Sequence, residues 1–212
     1  MSRQIHHRRA TVRHPQKIYE NDIDEYTKVL SHFDESATKD TCGNIWILTG
    51  NPSIDTTNAK FEKALQLNGN YISLNSGITL GGKDFTIDFF VAWTNLSDWR
   101  TPLCISNMNG TYRYISLRSG GPNIVSNPGG AYGATFLLET SISLNRIYHI
   151  VYVYNHGKCF VDGQLKSTKT MTYEVSQPNI VIGSGFGYPF YGAIDEFNQV
   201  RNMANKITGM NN

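Results

Sequence analysis

The stretch Phe85-Thr86-Ile87-Asp88-Phe89-Phe90-Val91-Ala92-Trp93 decides the fold. Phe85, Ile87, Phe89, Val91 and Trp93 recur at every second position, the period of a β-strand with one buried face, while Thr86 and Asp88 fall on the other face. Gly81-Gly82-Lys83-Asp84 is the turn that feeds it. Working outward, Ile147-Tyr148-His149-Ile150-Val151-Tyr152-Val153-Tyr154 is apolar or aromatic on both faces, which predicts a central strand and makes His149 a core histidine. Asn155-His156-Gly157 supplies turn residues, and 158–161 returns as a second strand that ends at Asp162-Gly163, so the two form a hairpin. Short apolar runs broken by Gly, Asn, Asp and Pro predict further strands at 29–34, 64–67, 71–74, 103–107, 112–117, 134–138, 179–182 and 192–197. Only 201–206 could carry a helical turn. So many strands with so little helix point to an all-β, two-sheet sandwich.

Composition agrees. The 212 residues are 17% charged, below the ~25% usual for globular proteins, and include 19 Gly, 12 Tyr and 10 Phe. A chain of this length buries roughly 70% of its unfolded surface and needs no disulfides or structural metal. Cys42, Cys104 and Cys159 have no paired spacing and read as buried thiols. The net charge of +2 is uneven: residues 1–20 hold Arg3, Arg8, Arg9, Arg13 and Lys17 against Glu20, leaving 14 basic and 16 acidic residues for the rest. The sequence therefore divides into a basic, extended N-terminal arm at 1–26 and a domain at 27–212. Residues 1–17 lack the apolar core of a secretory signal, and no run approaches the ~20 apolar residues of a membrane span. The expectation is a chain made in the cytoplasm without a membrane span.

Several segments, in order, carry a resemblance. Leu30-Ser31-His32-Phe33-Asp34 leads through Asp40-Thr41-Cys42-Gly43-Asn44-Ile45-Trp46 to Phe61-Glu62-Lys63-Ala64-Leu65-Gln66-Leu67-Asn68-Gly69-Asn70-Tyr71-Ile72. Phe85-Thr86-Ile87-Asp88-Phe89-Phe90-Val91 follows, then Ile147-Tyr148-His149-Ile150-Val151 with Val161-Asp162-Gly163-Gln164-Leu165, and finally Gly192-Ala193-Ile194-Asp195-Glu196-Phe197. This order resembles the laminin-G-like jelly-roll domains of the concanavalin A-like lectin and glucanase superfamily. The departures are Ile147, where the family has Trp, and Asn198-Gln199-Val200-Arg201, which lacks the usual Arg-Ile pair. The resemblance implies an antiparallel jelly-roll β-sandwich that is either a glycan-binding module or a glucanase. It also implies calcium at a loop rim, with Asp34, Asp40 and Asp195 as candidate ligands beside carbonyls near Gly43. The competing reading has Asp34 and Asp40 capping turns and Asp195 accepting backbone hydrogen bonds.

Retaining glycoside hydrolysis needs two carboxyls about 5.5 Å apart. The glucanase branch sets them on one strand as E-x-D-x-E or E-x-D-x-x-E, and no such run occurs. Asp22-Ile23-Asp24-Glu25 sits at the arm, and Asp195-Glu196 should point to opposite faces of a strand. Gly183-Ser184-Gly185 and Gly129-Gly130-Ala131-Tyr132-Gly133 have no following helix and read as loops. The sequence thus predicts no enzyme.

Rings outside the strand pattern point elsewhere. Trp99, Arg100, Tyr112, Tyr114, Tyr132, Phe186, Tyr188, Phe190 and Tyr191 lie among Gly, Ser and Asn, the composition of a recognition surface, although such rings could equally cover the sandwich ends. Trp99, Arg100, Tyr112, Tyr132, Phe186, Tyr188 and Tyr191 are the candidate ligand-binding residues, with a glycan or cell-surface partner. Arg3, Arg8, Arg9, Arg13 and Lys17 are candidates for anchoring the arm to a protein assembly. Nucleic acid ranks lower, because no aromatic interleaves these basic residues. An arm plus one lectin-like domain is similar to bacteriophage and prophage proteins. The resulting expectation is a virion accessory protein, a capsid decoration or tail-associated adhesin, forming a homo-oligomer or part of a larger assembly. A free lectin, with or without calcium, is the alternative.

Overall fold

The computed structural model describes residues 27–74, 85–96, 99–107, 113–120, 123–126, 136–153, 158–168, 178–185 and 187–201. Among them are strands and no helix. In chain order they are β1 (Thr27–Ser31), β2 (Trp46–Thr49), β3 (Ser53–Asp55), β4 (Ala64–Asn68), β5 (Tyr71–Leu74) and β6 (Phe85–Trp93). There follow β7 (Trp99–Asn107), β8 (Arg113–Gly120), β9 (Asn123–Ser126), β10 (Phe136–Ser141), β11 (Ile147–Val153) and β12 (Lys158–Val161). The last are β13 (Gln164–Ser167), β14 (Pro178–Ile182), β15 (Ser184–Gly185), β16 (Tyr188–Pro189) and β17 (Tyr191–Arg201).

One sheet runs β13-β12-β11-β6-β17-β4-β3, with β1 also on β17, and the other runs β10-β9-β8-β7-β14-β5-β2. β6 lies between β11 and β17 and is antiparallel to both. Its odd-numbered residues, Phe85 to Trp93, are at most 1% exposed, and each fully buried side chain of this size contributes about 1.5–3 kcal/mol. They meet Leu103, Ile105, Ile180 and Ile182 of the second sheet in one hydrophobic cluster. Rings pack edge to face in this core: Phe190 and Tyr148 against Trp93 at 6.0 and 5.9 Å, and, across the two sheets, Trp46 against Phe197 at 6.1 Å.

The predicted hairpin forms with Ile150 opposite Val161 and Val153 opposite Lys158. Asp162 and Gly163, at φ 50° and 76°, turn the chain into β13. At the head of β17, Gly192 has φ 154° and no room for a side chain, because a Cβ there would lie 2.0 Å from the Ala92 carbonyl oxygen.

Several details differ from the sequence reading. β1 stops at Ser31 rather than Asp34, and Phe33 follows it at φ 62°. The strands expected at 112–117 and 134–138 are β8 and β10, displaced toward higher numbers. β2, β3, β9, β13, β15 and β16 were not anticipated: β15 takes Ser184 and Gly185, which read as a loop, β16 takes Tyr188, and β7 starts at Trp99 rather than Leu103; β2 is an edge strand whose Ile47, Leu48 and Thr49 are all exposed, so it shows no alternation to read. His149 is not in the core: it pairs with Phe90 on the outer face of its sheet and is half-buried, while Tyr148, Ile150 and Tyr152 point inward. Residues 1–26 and 202–212, and with them the arm and most of the expected helical turn, lie outside the described residues; Arg201 is the last residue of β17.

Candidate functional site

One end of the sandwich gathers several predicted binding residues. The short β15–β16 hairpin sits beside the start of β7, with Gly183 N donating to Pro102 O at 2.8 Å and Phe190 N donating back to Gly183 O at 2.8 Å. Phe190 is fully buried under it, so of the rings expected at a recognition surface this one belongs to the core. Tyr191 is clamped on both sides. The Arg100 guanidinium stacks 4.6 Å from its ring centroid, and the Asn68-Gly69-Asn70 turn lies against its other parts, close enough that a Cβ on Gly69 would be 3.1 Å from the Tyr191 hydroxyl. Gly69 N donates to Phe190 O at 2.9 Å, and Thr94 N donates to Tyr191 O at 3.0 Å. Arg100 Nη1 also reaches Pro189 O at 3.5 Å. Next to that carbonyl, Tyr188 keeps 37% of its surface exposed. Arg100 and Tyr191 thus come together, with Tyr188 one residue from the carbonyl that Arg100 reaches. Phe186, Tyr112 and Tyr132, and the side chains of Trp99 and Tyr114, lie outside the described residues.

A second cluster is acidic. Asp195 is 1% exposed, and its Oδ2 accepts Lys60 N at 2.8 Å and Phe61 N at 2.9 Å, while its buried Oδ1 has no partner among the described residues. Burial pushes its carboxyl up to about 6 against those two bonds, and the neighbouring Glu196 and Asp34 charges push the same way. Simple alternation fails here. The β17–β6 register slips between Asp195 and Asn198, Glu196 adopts φ 51°, and its carboxylate accepts a bond from His32 Nδ1 at 2.8 Å. That bond raises the His32 pKa. Asp34 Oδ1 accepts Lys63 N at 3.0 Å. Asp40 accepts Asn44 N at 2.6 Å and Asn44 Nδ2 at 2.7 Å, and its burial raises its pKa. The three carboxylates named for calcium therefore each hold backbone N–H groups, and among the described residues no three His, Cys, Asp or Glu groups converge as a metal site.

Sequence reasoning missed the outer-face group around His149. Its Nε2 lies 2.5 Å from Asp88 Oδ1, a bond that raises the His149 pKa, and its ring stacks on Phe90 at 4.5 Å. Phe61 meets Phe90 edge-on at 5.7 Å, so the loop that Asp195 holds is also packed against this pair. Cross-strand pairing of 149 with 90 could not be read without knowing which strands are neighbours.

A family model for the concanavalin A-like lectin/glucanases superfamily, of the Laminin_G_3 type, matches residues 67–202, well over half of the chain. The chain belongs to this superfamily. Its fold recurs in domain 4 of an extracellular arabinanase from Geobacillus stearothermophilus, solved with arabinotriose, at a TM-score of 0.68 and 20% identity over 84% of this chain and 94% of that one. It recurs in the binding domain of botulinum neurotoxin DC in complex with SialylT, at a TM-score of 0.65 and 14% identity over 84% and 48%. A Trypanosoma rangeli sialidase mutant displaying trans-sialidase activity matches at a TM-score of 0.60 and 16% identity over 77% and 28%. The chain thus corresponds to nearly all of the arabinanase domain but to half or less of the other two chains. No curated protein matches it by sequence. As a superfamily member the chain is a jelly-roll sandwich, and among the described residues no helix is long and apolar enough to cross a membrane.

Proposed function

We propose that the chain is a non-catalytic glycan-binding module whose recognition surface is the sandwich end built by Arg100, Tyr188 and Tyr191. The observation that carries this is an exposed Tyr188 one residue from Pro189, whose carbonyl meets the same Arg100 guanidinium that lies over the Tyr191 ring. Rigid rings offer a flat apolar face for sugar C–H groups, and adjoining Asn and glycine backbone offer hydrogen bonds to hydroxyls. Membership of a superfamily of lectins and glucanases supports the reading, as does likeness to an arabinanase domain solved with arabinotriose.

Catalysis is the weaker alternative. The carboxyls whose pKa burial raises, Asp195 and Asp40, are both buried and occupied by N–H groups, Asp195 by Lys60 and Phe61 and Asp40 by Asn44. A glycan panel tests the proposal. Tyr188→Ala should weaken the best glycan about two- to tenfold, the loss of one ring contact, with no release of reducing ends. Complete absence of glycan binding refutes it.

The finer reading, a virion accessory protein tethered through Arg3, Arg8, Arg9, Arg13 and Lys17, rests on the sequence pattern of a basic arm joined to one lectin-like domain. Deleting residues 1–25 should abolish association with the particle and leave the domain folded. Unchanged association refutes the tether.

A further inference from the structure

We propose that the corner of the sandwich at β2 is a docking surface for a second copy of this chain, and that the two copies meet there about a two-fold axis.

Exposure and charge together single out this corner. Among the described residues seven large hydrophobic side chains are exposed, and three of them, Ile45, Ile47 and Leu48, cluster within 45–48 at 67%, 45% and 38%. Residues 41–54 carry no charged side chain at all. Ile47 lies opposite Ser73 and Thr49 opposite Tyr71, so the uncharged surface continues onto β5. Lys39, bridged to Ile45, supplies the polar rim that such interfaces have. The patch is also held in place from below. Trp46 is buried, meets the Phe197 ring, and donates from Nε1 to Ser31 Oγ at 3.1 Å, which lowers the cost of ordering the strand on contact.

The other outer strands show what β2 lacks. The two sheets end in β13, β3, β10 and β2. Of these, β13 carries Lys166, β3 carries Asp55 and β10 carries Glu139, the charged side chains by which proteins keep sheet edges from pairing. β2 carries none. Trp46 N donates to Thr38 O at 2.8 Å and closes the start of its outer edge, and past that point no second strand borders β2 among the described residues.

The same contrast chooses the occupant. A nucleic acid, an anionic lipid surface or a charged peptide finds no counter-charge along 41–54. Two copies approaching through β13, β3 or β10 would bring Lys166, Asp55 or Glu139 against its own charge, which is unfavourable. Through β2 they bring neutral apolar side chains together, and a two-fold axis makes one patch complementary to itself. Gly50, one residue past β2, lies against Asn70, so the dimer would join two of the sandwich ends described above in one particle and raise the avidity of weak sites. Dimerisation itself is independent of the glycan reading.

Sedimentation velocity on the full chain tests this from about 5 to about 500 µM. The mass should rise from one chain to two with a midpoint of about 10–100 µM, the weak association expected of a patch this small. Ile47→Lys should weaken it at least about tenfold, because symmetry places two unpaired charges in the contact. Ile45→Lys, outside the strand, should do the same and decides if Ile47→Lys does not fold; circular dichroism melts check both. Leu165→Lys, on β13, should leave the association unchanged. A chain that stays monomeric at every concentration, as it would if residues 1–26 and not a second copy covered this face, overturns the proposal. So does a dimer that survives in the folded Ile45 and Ile47 variants, or one that Leu165→Lys dissolves equally.

Discussion

Replacing Asp195 by Asn removes a titration while keeping the shape of the side chain, and the consequence depends on pH. In the native chain this carboxyl is 1% exposed and its pKa lies at about 6 instead of the ordinary 3.8. The folded state therefore binds the proton more tightly than the unfolded state. The contribution to stability is fully present below the unfolded value and is lost as pH rises through about 6. Two pH units at about 1.4 kcal/mol each give at most about 3 kcal/mol between pH 4 and pH 7. Asn stays neutral throughout, and its carbonyl oxygen can still accept Lys60 N and Phe61 N. Relative to wild type, Asp195→Asn should thus fare better at pH 7 than at pH 4, by up to that amount. Asp195→Ala leaves both N–H groups without their acceptor, at about 1–3 kcal/mol each. Urea unfolding followed by circular dichroism from pH 4 to pH 8 measures all three chains. The reasoning is refuted if Asp195→Asn keeps the wild-type pH slope, or if at pH 7 it is as unstable as Asp195→Ala.

Other outcomes follow from the same geometry. Asp88→Asn should lower the His149 pKa seen by NMR and cost under about 1 kcal/mol near pH 5.5, since both side chains are about a third or more exposed; the loss should vanish as pH rises through the folded His149 value, which lies above the ordinary 6.5. Phe190→Ala should cost about 3–5 kcal/mol in thermal or urea unfolding, because the ring is fully buried against Trp93 beneath the binding end. A thiol reagent at pH 8 should leave the native chain nearly unlabelled and label all three cysteines after denaturation. Burial pushes the Cys42 and Cys159 thiols up to about 11 and about 12, and Cys104 is itself buried.

The strands that could be read were those with a clear period or a long run of large residues between turn signals. β6 and the β11–β12 hairpin announce themselves because inward residues are large and the turns are made of Asn, Asp and Gly. β2 could not be read, since an edge strand with three exposed residues in a row carries no period. The bulge at Asp195 and Glu196 was equally hidden: alternation assumes an unbroken register, and the pull of His32 on Glu196 links residues 164 positions apart. For the binding end, clustered rings among glycines pointed to Arg100, Tyr188 and Tyr191 but also to Phe190, because composition does not tell a ring that covers the core from one that faces solvent. Nothing local marks Asp195 as the anchor of residues 60 and 61. That role appears only when β17 is laid beside the loop before β4.

The central claim is that sugars bind at the end formed by Arg100, Tyr188 and Tyr191. An NMR titration of the isotope-labelled chain with its best glycan tests it most directly. The account predicts amide shifts concentrated at residues 69–70, 100–101 and 187–191, with no sugar released as product. Shifts confined to the outer face around Phe90 and His149, or hydrolysis of the added glycan, would contradict it.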